Sequence, residues 1–275
     1  MILREWRMAA ALVGALAFAA KGAVAEPIEA RCLIKPDSVV NIASAVEGLL
    51  QFVHVERNQS VKAGDVLAEL NSDLEATSVR LARARAESNA RIRSASAQVK
   101  FQKERLGRAQ KLANRKVMAN ATLDEIRTEA QLAELALIEA RLGQRIAELE
   151  LEQAAELLKR RKIVSPIDGV VVDRLMEPGE YVHEQAILMV VAKLDPLMVE
   201  AFLPVDRYGA IAEGMAAEVR PEAPVGGVHA AEVATVDRVF DAASGTFTVR
   251  LKLPNADFRV PAGHKCTVSF SPPPG

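Results

Sequence analysis

Residues 126–158 read IRTEAQLAELALIEARLGQRIAELELEQAAELL, and small or apolar side chains recur there every three or four residues. The positions of this frame are Ile126, Ala130, Ala133, Leu137, Ala140, Gln144, Ala147, Leu151, Ala154 and Leu158. Such spacing keeps one narrow seam of a helix turned toward a partner helix, which is the signature of a coiled coil. The stretch therefore predicts a long helix that packs along its length against another helix.

A second frame with the same spacing comes earlier in the chain. It consists of Leu74, Ser78, Leu81, Arg85, Ser88, Ile92, Ala95, Val99, Gln102, Leu106, Ala109 and Ala113. No proline lies between Ser72 and Ser165, and the only break that we infer lies at residues 114–122, where poor helix formers cluster. Thr122 followed by Glu125 is typical of an N-cap with its capping-box glutamate. We expect two uninterrupted antiparallel helices that form a hairpin over residues 72–162.

The charges of the two arms favour this pairing. Residues 74–119 contain 12 lysines and arginines against three acidic residues, whereas residues 120–158 contain three arginines against nine acidic residues. Each exposed ion pair stabilises by only about 0.2–1 kcal/mol, so the asymmetry biases the closure of the hairpin without dominating it. An arm of about 40 residues would be ~60 Å long at about 1.5 Å per residue.

Two blocks of alternating sequence flank the hairpin, at residues 39–71 and 163–193. Gly48 with the two leucines after it matches Gly169 with the two valines after it. In the same way, residues 59–65 match residues 177–182. Short strands with glycine turns that repeat on both sides of an insertion predict two half-domains that pair with each other. The fold class is therefore α+β, with a split β-domain interrupted by the helical hairpin.

Residues 194–271 predict a separate small β-barrel. Several short alternating strands surround one short helix, which we expect at residues 204–213. Residues 26–38 form a lead-in strand of this barrel, and residues 272–275 are a tail.

The N-terminus predicts export. Arg4 and Arg7 precede a short apolar run and an A-x-A site that ends at Ala25, so residues 1–25 are read as a cleaved signal peptide. A retained membrane anchor is the less favoured alternative, because the apolar run is too short to span a bilayer. The mature chain keeps Cys32 and Cys266, which in an oxidising compartment either form a disulfide or remain two buried thiols.

Composition and motifs argue against several function classes. A net charge of −1 and an aromatic content of 4% give no case for nucleic-acid binding. We find no Ser/His/Asp set, phosphate loop or metal-ligand spacing, so the sequence predicts no enzyme, metal or cofactor. A lipoyl or biotinyl carrier would need a lysine at the turn between the two halves, but residues 69–73 contain none before the hairpin begins.

The order of these blocks resembles the HlyD-like membrane fusion proteins, which are the periplasmic adaptor subunits of tripartite efflux and secretion systems. The resemblance is carried by VKAGDVLAEL at residues 61–70, VSPIDGVV at 164–171, PGEYV at 178–182 and PAG at 261–263. It covers roughly residues 39–271 and identifies the split β-domain as a lipoyl-like barrel-sandwich hybrid. The alternative is a periplasmic structural or chaperone-like coiled-coil protein that has no transporter partner.

The resemblance implies a scaffold without catalysis. Such adaptors pack side by side as homo-oligomers around an inner-membrane transporter of the RND or ABC type, and their hairpin tips meet an outer-membrane channel protein. The family commonly has a membrane-proximal domain after the barrel, and because this sequence ends at Gly275 we expect transporter docking to rest on the barrel or on another subunit.

Many members of the family carry an arginine at the tip, a leucine four residues later and a serine seven residues after that. The same spacing gives Arg108, Leu112 and Ala119 here, with alanine in place of the serine, and Leu123 and Asp124 continue the pattern beyond the turn. These five residues are the expected channel-docking tip.

A second apolar stripe lies off the seam of the later helix, at Leu135, Ile138, Leu142, Ile146 and Leu149. A two-helix hairpin needs only one seam, so we assign Leu135, Leu142 and Leu149 to contact with a neighbouring protomer. Packing within a curved hairpin is the alternative.

Overall fold

The computed structural model describes residues 28–271, so the predicted signal peptide and tail lie outside the described residues. The strands are β1 Ile28–Ala43, β2 Gly48–Val53, β3 Ser60–Val61, β4 Val66–Leu70, β5 Lys162–Val164, β6 Gly169–Arg174, β7 Tyr181–Val182, β8 Ile187–Pro204, β9 Ala216–Pro221, β10 His229–Val236, β11 Thr246–Leu253 and β12 Lys265–Phe270. The helices are α1 Asp73–Glu87, α2 Ala90–Asn114 and α3 Asn120–Lys159. The chain divides into two compact units, which are described separately.

The barrel unit contains residues 28–34, 199–253 and 264–271 of the described chain. Six strands form its sheet in the order β1-β12-β9-β10-β11-β8, and an additional pairing joins β8 to β1. Alternate side chains of each strand are buried, as Phe247, Val249 and Leu251 show on β11, because side chains of a strand point to opposite faces in turn. The β-barrel inferred from the sequence is therefore present.

The helix expected at residues 204–213 is wrong. Only a single 3-10 turn forms, at Val205–Arg207, and Gly209 then adopts a φ of 92°. Tyr208 before it is already extended, with a ψ of 131°, and a residue at positive φ cannot continue a right-handed helix, so the chain leaves the helical path at these two residues. β1 and β8 each run as one continuous strand across a boundary that the sequence predicted, at residues 38–39 and 193–194 respectively.

The hybrid unit contains residues 35–198 and 254–263. The two halves of its β-domain pair strand by strand in antiparallel fashion: β2 with β7, β3 with β6, and β4 with β5. Both halves contribute to one core, with Leu50, Leu67 and Leu70 from the first half and Val171 and Val182 from the second. The prediction that the halves pair with each other is confirmed.

The internal repeat is visible in the hydrogen bonds of matching turns. The Ser44 hydroxyl donates to the Val46 carbonyl, and the Ser165 hydroxyl donates in the same way to the Ile167 carbonyl. The next pair of matching turns is Glu56–Gln59 and Glu177–Glu180. In each turn the side-chain oxygen of the fourth residue accepts a hydrogen bond from the backbone amide of the first. The predicted match of residues 59–65 with residues 177–182 is therefore wrong in register, because residues 56–59 are the counterparts of residues 177–180. In the structure the counterpart of Gly179 is Asn58, which also has a positive φ.

The hairpin lies within the hybrid unit, and its first arm is broken. α1 ends at Glu87 and α2 begins at Ala90, with Ser88 in an extended conformation between them. The side chain of Gln144 on α3 donates to the Ala86 carbonyl, a group left without an intrahelical partner by the break. Serine and asparagine favour such breaks, because their side chains compete for backbone hydrogen bonds.

The break shifts the buried face of α1 by one residue from the expected frame. Val79 and Ala82 are buried, whereas Leu74 and Leu81, which the sequence placed in the seam, are 74% and 56% exposed. From Ile92 onward the expected frame of α2 is correct, since Val99, Gln102 and Ala109 are buried.

The frame of α3 is correct along its whole length. Ile126, Ala130 and Ala133 are buried, and the seam positions that follow are half-buried. α3 begins at Asn120 with Ala119 as its N-cap, so the capping role expected for Thr122 is wrong. Ion pairs join the basic arm to the acidic arm at Arg85–Glu150, Lys103–Glu134 and Arg105–Glu129. The helices thus pack as an antiparallel hairpin, and its coiled-coil character stays a prediction.

Candidate functional site

The tip of the hairpin is the loop of residues 115–119 between α2 and α3. Lys116 adopts a φ of 57°, and its amide donates to the Ala113 carbonyl at 2.8 Å, while the Val117 amide donates to the Leu112 carbonyl at 3.1 Å. These bonds satisfy the last carbonyl groups of α2 and reverse the chain within five residues. The loop is therefore a tight turn held by its own backbone.

Of the five expected tip residues, two lie before this loop on α2, Ala119 lies in it, and two lie after it on α3. Arg108, Leu112 and Ala119 are exposed, whereas Leu123 is half-buried. Asp124 is exposed and accepts from Arg127 on its own helix at 2.7 Å. Leu123 is thus the least accessible of the five, and the other four side chains are available to a partner.

Val117 is a tip residue that the sequence analysis missed. Its side chain is 74% exposed, and the nearby Leu112 is 42% exposed, so the tip presents two aliphatic groups to solvent. The signal in the sequence is a lone branched apolar residue in the middle of a polar turn. Val117 fits neither helical frame, so periodicity does not reveal it.

The outer face of α3 carries an apolar stripe opposite the seam. Its members are all between 47% and 60% exposed: Leu132, Leu135, Ile138, Leu142, Ile146, Leu149 and Leu157. Glu139, Gln153 and Glu156 occupy the remaining positions of the same three-and-four spacing. Because these aliphatic side chains are exposed in a single chain, packing within the hairpin does not account for them.

The outer face of α2 is basic. Arg93, Lys100, Arg108 and Lys111 follow a three-and-four spacing on the side away from α3, with Glu104 as the acidic residue among them. All are exposed, and Phe101 beside them is 54% exposed. The two outer faces of the hairpin thus differ, one being basic and the other apolar with acidic flanks.

Two glutamines lie in the seam between the arms, and they differ in their partners. Gln144 donates to the Ala86 carbonyl at the helix break. Gln102 is only 8% exposed, and within the described residues its Oε1 atom has no hydrogen-bond partner. An unpaired buried carbonyl costs about 1–3 kcal/mol, so the Gln102 position is destabilising for the hairpin itself.

A cleft of about 610 Å³ in the hybrid unit is lined by Lys62, Asp65, Asp168, Lys193 and Asp195, among other residues. Its carboxylates serve the backbone: Asp65 accepts from the Lys62 amide, Asp168 from the Ala63 amide and Asp195 from the Asn255 amide. Lys193 forms an ion pair with Asp37 at 3.1 Å. These charges hold turns in place, and no group of three or more potential metal ligands forms within residues 28–271.

In the barrel unit, Cys32 and Cys266 face each other on the paired strands β1 and β12 and form a disulfide. At the turn after β10, hydrogen bonds from the Ser244 hydroxyl and the Ala243 amide lower the pKa of Asp241 below its ordinary value. No helix within the described part of the chain is long and apolar enough to cross a membrane.

Comparison with known proteins identifies the class. The profile of the CzcB-like barrel-sandwich hybrid domain matches residues 38–193, and that of the CusB-like beta-barrel domain matches residues 197–274. The chain therefore belongs to the family of membrane fusion, or periplasmic adaptor, proteins.

Two curated relatives and one solved structure are similar to this chain. It is 24% identical over 234 residues to the multidrug resistance protein MdtA of Photorhabdus laumondii, covering 82% of this chain and 55% of that protein. It is 27% identical over 234 residues to MdtA of Proteus mirabilis, covering 82% of this chain and 53% of that protein. The chain thus spans about half the length of these curated relatives. The crystal structure of MacA from Actinobacillus actinomycetemcomitans superposes with a TM-score of 0.74 at 20% identity, covering 89% of this chain and 78% of that one, which supports the fold.

Proposed function

We propose that this protein is the periplasmic adaptor subunit of a system that exports compounds across the cell envelope. In this role it links an inner-membrane transporter of the RND or ABC type to an outer-membrane channel protein. The observation that carries the proposal is the helical hairpin inserted between the two paired halves of the hybrid domain, with an exposed tip. A hairpin of this kind projects a small contact surface far from the domain that bears it, since α3 alone is about 60 Å long at 1.5 Å per residue.

The tip has the chemistry of a docking surface. Leu112 and Val117 supply exposed aliphatic groups, and Arg108 supplies an exposed cation one helical turn before Leu112. An apolar centre surrounded by a polar rim is the usual arrangement of a protein–protein interface. Ala119 is the N-cap residue of α3, a position where a serine or threonine hydroxyl would accept a hydrogen bond from the first turn of the helix. The methyl group of Ala119 makes no such bond, so it can contribute only van der Waals contacts to a partner.

The adaptor works as a scaffold without catalysis or a cofactor. Both curated relatives described above are multidrug resistance proteins, which favours efflux of small compounds over secretion of a protein. The signal peptide read at residues 1–25 would deliver the chain to the periplasm. Side-by-side homo-oligomers would form through the outer face of α3, where Leu135, Leu142 and Leu149 are exposed.

Site-specific photocrosslinking in intact cells tests the tip contact. A photoreactive amino acid at Ala119 is expected to form an adduct with an outer-membrane channel protein, identified by mass spectrometry. The matched control places the same group at Ala155, which is exposed near the opposite end of α3, about 50 Å away at 1.5 Å per residue. The control is expected to give no channel adduct, and deletion of the gene is expected to increase sensitivity to exported compounds.

Two results would contradict this function. Adducts with the channel protein at equal yield from Ala119 and Ala155 would show a non-specific encounter. Self-adducts alone, together with unchanged sensitivity of the deletion strain, would favour a structural or chaperone-like coiled-coil protein instead.

A further inference from the structure

An open groove with a volume of about 700 Å³ lies in the hybrid unit, and it adjoins the cleft described above, with which it shares Phe258. Strands β6 and β8 and residues 258–263 line it. Most of the lining residues are apolar, and they include Pro36, Val170, Val172, Leu194, Val260 and Pro261. Sites for drug-sized ligands have volumes of roughly 300–1,000 Å³ and are mostly apolar, so this groove has the size and the character of such a site.

Three consecutive valines of β6 line the groove, but they differ in exposure. Val171 is fully buried in the core of the hybrid unit, whereas Val172 is 43% exposed. The pairing of β6 with β8 contains a bulge between Val171 and Asp173, which takes Val172 out of the regular ladder. Bulges of this kind redirect a side chain away from the face that alternation would give it. Val172 therefore supplies the groove with an apolar surface that is open to solvent.

Hydrogen bonds hold the wall of the groove that contains Phe258. The buried side chain of Asn255 donates to the carbonyl groups of Leu194 and Val260 at 3.1 and 3.0 Å, and it accepts from the Val260 amide at 3.0 Å. The Phe258 amide donates to the Asn255 carbonyl at 2.9 Å. Phe258 adopts a φ of 53°, which is uncommon for a bulky residue, and its side chain is 46% exposed. The loop thus keeps a large aromatic side chain at the edge of the groove.

Arg57 is the only charged side chain that lines the groove within residues 28–271. It is exposed, and the polar residues Asn58 and Ser60 lie near it in the lining. Arg57 also borders a smaller cleft that contains Glu56 and Asp173. A guanidinium has five N–H donors, so these carboxylates do not exhaust its capacity. A cation at the edge of an apolar groove is complementary to a molecule that carries an acidic group on an apolar body.

We propose that this groove binds a drug-sized amphipathic organic anion, whose apolar body contacts Val172 and Phe258 and whose acidic group binds Arg57. Burial of the apolar body drives binding, and the charge-assisted hydrogen bonds to the guanidinium select the sign of the charge. A neutral molecule of the same shape forfeits those bonds, and a cation is repelled by Arg57. Ligand binding by the hybrid unit goes beyond the adaptor function proposed above and does not depend on contact with a channel protein.

Two fluorescent probes with the same aromatic body test the charge preference in the purified full-length protein. Anilinonaphthalene sulfonate carries one anionic group and phenylnaphthylamine carries none, and the emission of both increases in apolar sites. The sulfonate probe is expected to bind about tenfold more tightly. Arg57→Ala is expected to abolish this preference by weakening the sulfonate probe alone, and Arg57→Lys to retain part of it. The matched control is Arg238→Ala, which removes an exposed arginine of the barrel unit and should change neither affinity.

A second set of variants tests where the probe binds. Trp6 is the only tryptophan of the sequence and lies in the predicted signal peptide, so the processed chain contains none. Energy transfer to the bound sulfonate probe is expected from the tryptophan of Phe258→Trp. Almost none is expected from that of Ala121→Trp near the hairpin tip, because α3 is about 60 Å long at 1.5 Å per residue. Val172→Glu is expected to weaken the sulfonate probe by about tenfold through like-charge repulsion. Its matched control, Val239→Glu, changes an 83% exposed valine of the barrel unit and should have no effect.

Three outcomes would overturn the inference. Equal affinities for the two probes, or a preference that persists in Arg57→Ala, would show that Arg57 does not select an anion. Energy transfer from Ala121→Trp as strong as from Phe258→Trp would place the probe elsewhere, for example on the apolar stripe of α3. A phospholipid recovered from the purified protein in equal molar amount by solvent extraction would show a different occupant. Loss of probe binding leaves the adaptor function standing, and a missing channel adduct from Ala119 leaves ligand binding standing.

Discussion

The two arms of the hairpin have similar lengths, but one is a continuous helix and the other is broken. α3 runs unbroken for 40 residues, and every position of its predicted seam is buried or half-buried. The first arm is split into α1 and α2 at Ser88 and Asn89, and the buried face of α1 is displaced by one residue from the predicted seam. The same three-and-four spacing thus gave the right face in one arm and the wrong face in part of the other.

The difference teaches that a break can be stabilised from outside the helix that contains it. Neither proline nor glycine occurs at the break, and the helix-weakening residues there cost only a few tenths of a kcal/mol each relative to alanine. What the break leaves unpaired is the Ala86 carbonyl, and Gln144 of the unbroken arm donates to it. The interruption in one arm is therefore supported by a side chain of the other.

Of the variants that test this difference between the arms, replacement of a seam residue in the unbroken arm is expected to change the free energy of unfolding the most. Ile126→Ala removes a buried side chain near the tip and should lower the free energy of unfolding of the hairpin by about 2 kcal/mol. Leu142→Ala on the exposed stripe is the matched control, and it should change this free energy by less than about 0.5 kcal/mol in dilute protein. Urea unfolding followed by circular dichroism at 222 nm measures both, because all α-helices within residues 28–271 belong to the hairpin. Equal losses from the two variants would contradict the assignment of the seam.

A second pair of variants tests the displaced face of α1. Val79→Ala is expected to destabilise the hairpin by about 1 kcal/mol, since Val79 is buried against α3 and alanine's better helix propensity recovers part of the loss. Leu81→Ala removes a larger side chain from the position that the sequence placed in the seam, yet it should have almost no effect because Leu81 is exposed. The same unfolding measurement applies. A larger loss for Leu81→Ala would mean that α1 follows the frame read from the sequence.

Replacement of the two seam glutamines by leucine is expected to change the free energy of unfolding by small amounts of opposite sign. Gln144→Leu leaves the Ala86 carbonyl without its partner and should cost about 1 kcal/mol, with faster hydrogen exchange of the amides around Ser88. Gln102→Leu removes a buried carbonyl that has no partner and should raise the free energy of unfolding by about 1 kcal/mol. If both variants destabilised equally, the two positions would not differ in hydrogen bonding as described.

Much of the candidate site was predictable from sequence. The opposite charges of the arms predicted the ion pairs between them, and the order of motifs predicted the family and the pairing of the two β-halves. The tip loop was located to within a few residues, although Ala119 rather than Thr122 caps α3. The exposed Val117 was missed, because a single apolar residue in a loop has no periodicity to reveal it.

The alignment of the internal repeat shows a second limit. The sequence matched residues 59–65 with residues 177–182, but the structural counterpart of Gly179 is Asn58, which lies just before that stretch. Both residues adopt a positive φ in equivalent turns, and asparagine tolerates this region better than most residues do. Residue identity therefore misled where backbone conformation was the property that the two halves share.

The sequence by itself determined the period of each helix, the sign of the charge on each arm and the pairing of the two β-halves. The first two properties depend on neighbouring residues of one segment, and the third follows from the internal repeat, so all three can be read along the chain. Tertiary structure alone decided which face of α1 is buried, because that face is set by the break at Ser88 and by the partner that Gln144 provides on another helix. It also decided that the second stripe of α3 stays exposed, since burial depends on what lies opposite a side chain rather than on the side chain itself.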